Sequence, residues 1–457
     1  MNNQNNKMEL LGNVPIPKAL MAMGIPTMLG MMVNAIYSLV DAYFVGGLGE
    51  SQMGAISVVY PLGQVVVGLG LLFGNGAASY LSRLLGKGDK EKANQVASTA
   101  LYSSITAGAV MIIFSIIFLR PILNLLGATD SIMPYAVSYA SIYIISCIFN
   151  VFNVTMNNIA TSEGAAKTTM CALMAGAVLN IGLDPVFIYV LDMGVAGAAA
   201  ATAISQIVST LVYLIFVLRK KSIYHFKIKY CTFTKEIMSE IFKIGVPTLV
   251  FQILTSLSIS LVNRQAKPYG DSVIAGMGAV TRVVSMGSLM VFGFIKGFQP
   301  IAGYSYGTKK FDRLQEAVKT SILWSTVFCV IYGLVMTVFS KEIISQFTKG
   351  DFEMIRVGTE SLRINGISFI LFGFYTVYSS LFLALGKGLA GFILGACRQG
   401  ICFVPVILIC PQLWGISGIL YVQPVADVLS AIITIFMALG LHRELAATKN
   451  AFLERSE

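Results

Sequence analysis

Gly24-Ile25-Pro26-Thr27 returns as Gly245-Val246-Pro247-Thr248, 221 residues later, and the same ungapped shift carries Gly49-Glu50-Ser51 onto Gly270-Asp271-Ser272. It also sets Phe73, Gly76 and Gly86 on Phe294, Gly297 and Gly307, and Gly194 and Gly197 on Gly415 and Gly418. A one-residue adjustment aligns Pro185 with Pro405. Chance supplies single pairs but not an ordered series, so the chain is read as built twice. Around these marks lie apolar runs of the roughly 20 residues that a helix needs to cross a bilayer. Twelve are expected, at 18–45, 54–81, 96–119, 132–157, 167–191, 195–219, 239–264, 273–302, 316–340, 355–385, 389–413 and 415–441. Six per half is an even number, so both halves enter from the same side and the repeats are parallel, related by an axis along the membrane normal. The expected architecture is an all-α integral membrane protein. It has two six-helix bundles related by pseudo-two-fold symmetry, set as a V about a central cavity. Its parts are a tail at 1–17, an N-lobe at 18–221, a connector at 222–238, a C-lobe at 239–445 and a tail at 446–457.

Composition agrees with lipid as the solvent: of 457 residues 56% are hydrophobic and 12% charged. The net charge of +10 invites a nucleic-acid reading, but its placement argues against one. Of the 32 Lys and Arg, 22 fall in loops on the side shared by the termini, six on the opposite side and four (Arg282, Lys296, Arg363, Arg398) within spans. That bias makes the terminal side cytoplasmic. The seven cysteines show neither metal-ligand spacing nor a disulfide framework. The first apolar run is too long for a signal-peptide core and reads as a retained helix. His225 and His442 have no paired catalytic group, so an integral-membrane enzyme is disfavoured.

One polar stretch interrupts the fifth span: Asn180-Ile181-Gly182-Leu183-Asp184-Pro185. An aspartate at the centre of a membrane helix costs about 2.5–3.5 kcal/mol to insert, and such residues mark ion or substrate pathways. Asn180 stands one turn before Asp184, on the same face. Asp41 in the first span and Thr202 in the sixth lie at similar depth. The repeat puts Asp41 opposite Val262 and Asp184 opposite Val404, so membrane-embedded carboxylates are expected in the N-terminal half alone. Two such carboxylates close together can load and release a proton near neutral pH; with Asn180 and Thr202 they offer instead a hard-oxygen site for Na⁺. Both ions remain open, and no other cofactor is expected. Tyr37, Tyr139, Gln206 and Arg398 are candidates to line the substrate cavity. Arg398 is read either as a cavity anion binder or as a snorkelling side chain. Pro26 is a candidate for helix bending, with a shared packing kink as the equal alternative, because Pro247 repeats it.

At these residues the chain resembles the multidrug and toxic compound extrusion (MATE) family. Val40-Asp41-Ala42-Tyr43-Phe44-Val45-Gly46, Arg83-Leu84-Leu85-Gly86-Lys87-Gly88-Asp89 and Asn180–Pro185 carry the resemblance. The most specific carrier is Gln299-Pro300-Ile301-Ala302-Gly303-Tyr304-Ser305-Tyr306-Gly307, followed by Lys309, Lys310 and Arg313. The resemblance implies a monomeric antiporter of a prokaryotic inner membrane, exporting cationic amphipathic drugs or metabolites against H⁺ or Na⁺ by alternating access. It also implies a cation site at Asp41, Asn180, Asp184 and Thr202. Two departures stand out. Thr255 and Thr376 occupy places where some members carry acids, and Ser162-Glu163-Gly164 stands where an Arg usually precedes the Gly. The runner-up reading is a flippase for a lipid-linked precursor, or an exporter of one specific metabolite, on a related fold.

Overall fold

A computed structural model describes residues 2–348 and 351–454. Among the described residues twelve helices are long and apolar enough to cross a membrane. In the first half they are α1 (Ile16–Val45), α2 (Ser51–Lys87), α3 (Lys90–Ile117), α4 (Met133–Ser162), α5 (Ala166–Val190) and α6 (Gly194–Leu218). In the second they are α7 (Lys235–Tyr269), α8 (Ser272–Gly307), α9 (Phe311–Val338), α10 (Phe352–Ala384), α11 (Gly388–Leu420) and α12 (Val422–Asn450). The chain is a multi-pass membrane protein, helical throughout these spans.

Helix ends fall outside several of the expected spans, because hydropathy reports the lipid while caps report the helix. α3 begins six residues before the apolar run at 96, where the Asp89 side chain accepts from the Lys92 backbone N–H at 3.1 Å. α11 runs past the expected end but is broken at Gly415 (φ 59°, ψ −133°), so the reversal lies where the sequence places it.

The repeat is written into the backbone as well as the sequence. Left-handed φ values recur at equivalent turns: Gly49 (131°) and Gly270 (99°), Gly88 (78°) and Lys309 (57°), Gly194 (54°) and Gly415 (59°). Glycine takes this conformation without a Cβ penalty; Lys309 adopts it because the turn it occupies is the same turn.

The halves meet through α1 against α8 and α2 against α7. Helices in lipid gain little from apolar burial and associate where small residues let backbones approach. A Cβ at Gly297 would stand 2.5 Å from the Gly24 nitrogen, and one at Gly307 would stand 2.3 Å from the Arg83 carbonyl oxygen. The Thr27 hydroxyl donates across the seam to the Gly293 carbonyl at 2.6 Å, and Arg83 pairs with Glu240 at 2.7 Å. Among the described residues, the inter-lobe hydrogen bond farthest from the termini joins Gln252 Nε2 to Gln64 Oε1 at 2.5 Å. The inter-lobe hydrogen bonds thus gather toward the terminal side, where the V is closed.

The segment expected to be a tail is partly a helix, Asn2–Gly12, wedged between the lobes on the closed face. Lys7 Nζ pairs with Glu163 Oε1 (3.1 Å), donates to the Lys221 carbonyl (2.6 Å) and sits over the Phe216 ring. Leu11 is fully buried. On the other lobe, Arg313 donates to the Leu11 and Val14 carbonyls (3.1 and 2.7 Å) and Lys310 to the Gly12 carbonyl (3.1 Å). Glu163, in the α4–α5 turn, has no exposure. Burial raises its carboxyl above the ordinary range, while the Lys7 charge and hydrogen bonds from the Ile223 N–H and Ser222 hydroxyl pull it back down.

Candidate functional site

Asp184 lies on α5, buried, directly before Pro185. Proline offers no N–H to the preceding turn, and the helix widens past it into a π-helical stretch, Val186–Val190, closed by Leu191 N–H to the Val186 carbonyl at 2.8 Å. π-bulges of this kind are a known way to re-aim side chains at functional sites. The Asn180 amide sits between Asp184 and α6. With its nitrogen toward the acid it donates to Asp184 Oδ2 at 3.2 Å, and its oxygen accepts from the Thr202 backbone N–H at 3.3 Å. The sequence-predicted trio therefore does come together, although Thr202 joins through its main chain and not its hydroxyl.

Asp41 completes the group from α1. It is close enough to Asp184 for the two acids to interact electrostatically, and Tyr37 and Tyr139 stand near it. Its Oδ1 is buried and has no hydrogen-bond partner. Buried polar atoms are satisfied in the great majority of cases, so an orphaned carboxylate oxygen asks for a partner from outside the chain. Among the described residues no cationic side chain pairs with either acid. Nor do the described residues contain any cluster of three or more His, Cys, Asp or Glu able to hold a metal ion.

The other predicted cavity residues divide. Tyr37 is half-buried, and Tyr139 is buried and stacked on Tyr143 (5.6 Å between ring centres, 15° between planes); both belong to the surroundings of Asp41. Gln206 serves packing: its side-chain oxygen accepts from Asn153 Nδ2 at 2.8 Å, tying α6 to α4. α1 runs unbroken through Pro26.

Arg398 neither snorkels nor stands free. Its Nε donates to Asp427 Oδ1 at 3.0 Å and its guanidinium lies 4.5 Å over the Phe372 ring. Asp427, on α12, is 1% exposed. This corrects the expectation that embedded carboxylates belong to the N-terminal half alone. The repeat sets Asp427 opposite Gln206, a neutral residue, so no acid in the first half pointed to it. Its buried cation is the partner that makes its charge affordable.

Arg398 also borders a cavity of about 200 Å³ within the C-lobe, reached by Asn75 from α2. Lys296, Gln299, Tyr375 and Thr376 line it with several phenylalanines. Neither Tyr37, Tyr139 nor Gln206 reaches it. The sequence sets Lys296 inside a span, as one of four cations that could line a cavity in the flippase reading, and the polar residue at the equivalent position, Asn75, is the signal that this face is not lipid-facing.

Similarity to known proteins agrees with this geometry. The chain is 31% identical over 438 residues to the multidrug export protein MepA of Staphylococcus saprophyticus, with 96% of each chain covered. It is 30% identical over 441 residues to that of Staphylococcus aureus, covering 96% and 97%. An outward-facing structure of a multidrug resistance MATE family transporter of the MOP superfamily superposes with a TM-score of 0.90 at 25% identity, covering 96% of this chain and 98% of that one. The sequence model of the MatE family matches residues 26–186 and 247–409, one block in each half. With both halves matched and twelve spans in place, the chain belongs to the MATE family: it is a transport protein and not an enzyme.

Proposed function

We propose that the chain exports amphipathic drugs or metabolites of cationic character across a prokaryotic inner membrane, by alternating access and in exchange for a cation. The kinship with proteins named multidrug export protein supports the substrate class. The charge bias of the loops supports cytoplasmic termini, which makes the closed face cytoplasmic.

The observation that carries the coupling is the orphaned, buried Asp41 oxygen within charge reach of Asp184. When both acids are ionised they repel across a poorly screened space. One proton held between the two carboxyl groups removes the repulsion and gives the orphan oxygen a hydrogen bond, which favours closer packing of α1 on α5. Release of that proton reverses the preference, and a lobe whose packing has two settings can gate the V. Na⁺ fits the same donors less well. It needs several oxygens around it, and the Asn180 oxygen is turned to the Thr202 N–H while the Asn180 nitrogen faces Asp184. A potential near 150 mV supplies about 3.5 kcal/mol per charge moved, enough for a several-hundred-fold gradient.

The test is ethidium efflux from cells with the H⁺ and Na⁺ gradients collapsed separately. Efflux should stop with the H⁺ gradient, and Asp41→Asn and Asp184→Asn should each abolish accumulation against a gradient while the protein still inserts. Uphill efflux by the double variant would end the proposal.

A further inference from the structure

The C-lobe cavity has the opposite electrical character from the acid site in the N-lobe. Two cations border it, Lys296 and Arg398, and no carboxylate does. Arg398 engages Asp427 through Nε alone, and among the described residues its two terminal nitrogens have no hydrogen-bond partner. Lys296 Nζ donates to Asn157 Oδ1 on α4, a neutral partner, and pairs with no acid among the described residues. A third donor points the same way. Tyr375 is 4% exposed and lines the cavity, yet its hydroxyl has no partner. The walls are flat and apolar: Phe251, Phe292, Phe372 and Phe392.

An ammonium with only a neutral partner, a guanidinium with two unengaged nitrogens, an unmet hydroxyl and aromatic walls form a recognisable chemistry. An oxyanion accepts from ammonium, guanidinium and phenol together, and such charge-assisted bonds are roughly twice as strong as neutral ones. An aromatic body attached to that oxyanion would pack on the phenylalanines. We propose that this cavity is a subsite for the carboxylate, sulfonate or phosphate end of an amphipathic anion. Lys296 and Tyr375 are its specificity-determining residues, and Arg398 is a donor held in place by Asp427. The inference rests on the transport reading above and extends its substrate range. Zwitterionic and anionic amphipaths are then carried as well as cationic ones, the two charges of a zwitterion falling in different lobes.

Lys296 also gives the subsite a link to the lobe seam, because its partner Asn157 belongs to the N-lobe. Asn75 of α2 donates to Thr248 of α7 at 2.9 Å beside it. An anion that draws the ammonium inward competes with the Asn157 contact, so occupancy and lobe contact are alternatives at one nitrogen.

The test uses the full chain in phosphatidylcholine nanodiscs and two probes with one ring system, naphthalenesulfonate and naphthylmethylammonium. In the wild type the sulfonate binds saturably. In Lys296→Met the ratio of sulfonate to ammonium affinity falls about 10- to 100-fold, the loss of one bond to a charged group. Tyr375→Phe lowers it a few-fold, and Lys296→Arg restores most of it. Adding phosphatidylglycerol separates two sources of the anion: competition with the sulfonate assigns the subsite to a lipid headgroup, and no competition assigns it to soluble anions. No saturable sulfonate binding in the wild type, or an unchanged ratio in both Lys296→Met and Tyr375→Phe, overturns the inference. Ethidium efflux followed in the same preparation, reconstituted with a pH gradient, tests the multidrug reading separately.

Discussion

Asp41 and Asp427 are both acids inside the membrane, one in each lobe, and they are provided for in opposite ways. Asp427 accepts from Arg398 Nε at 3.0 Å, Gln423 Nε2 at 2.9 Å and the Ser368 hydroxyl at 3.0 Å. Every need of the carboxylate is met within the C-lobe. Asp41 has an oxygen with no partner, and its charged neighbour is another acid. Burial alone therefore separates nothing. A satisfied buried ion holds one arrangement of its helices, whereas an unsatisfied one leaves room for an ion that comes and goes.

The contrast can be broken most forcefully from the C-lobe side. Asp427→Ala strips a buried arginine of its counter-charge and should destabilise the fold by about 3–5 kcal/mol, seen as a clear fall in the thermal unfolding midpoint in detergent. Replacing both members, Arg398→Met with Asp427→Leu, should recover most of that loss. If Asp427→Ala keeps its stability yet loses proton dependence, the C-lobe acid is a coupling residue after all and the contrast collapses. Asn180→Ala sharpens the other side. It removes the amide that donates to Asp184 and should slow ethidium efflux about tenfold, the worth of one hydrogen bond to a charged group, with insertion unchanged.

A third expectation concerns Glu163, outside the spans, and is the smallest. Burial raises its carboxyl, but the contribution of the docked helix is the Lys7 charge, which pulls the carboxyl down. Docking therefore favours the ionised acid, and that contribution is lost as pH falls and the carboxylate takes up a proton. Amide exchange of residues 2–12, corrected for intrinsic rates, should accelerate as pH falls, and Glu163→Gln should flatten the profile.

The large-scale plan was legible because lipid imposes coarse rules. Spans must be long and apolar, and a duplicated chain keeps its turn glycines in register. The contact of Asn180 with Asp184 was legible from helical spacing, since four residues on one helix meet whatever the tertiary structure does. Contacts between helices were not. Arg398 finds Asp427 only because α11 packs on α12, and nothing in the local sequence of either names the other. The stretch at 2–12 reads as a polar tail because its hydropathy is low. Its single buried leucine and its lysine acquire meaning only beside Glu163 and Arg313. The Glu163 departure from the family pattern had no rationale in the sequence for the same reason.

That short helix has a consequence for how the molecule is handled. It touches both lobes on the face that parts for loading in the alternating-access reading proposed above, so in that reading parting requires it to let go of at least one of them. Its grip works as a latch, and the work of lifting the latch belongs to every transport cycle. A bulky fusion ahead of Asn2 would then alter turnover without harming assembly, and tags for functional assays belong at the other end of the chain.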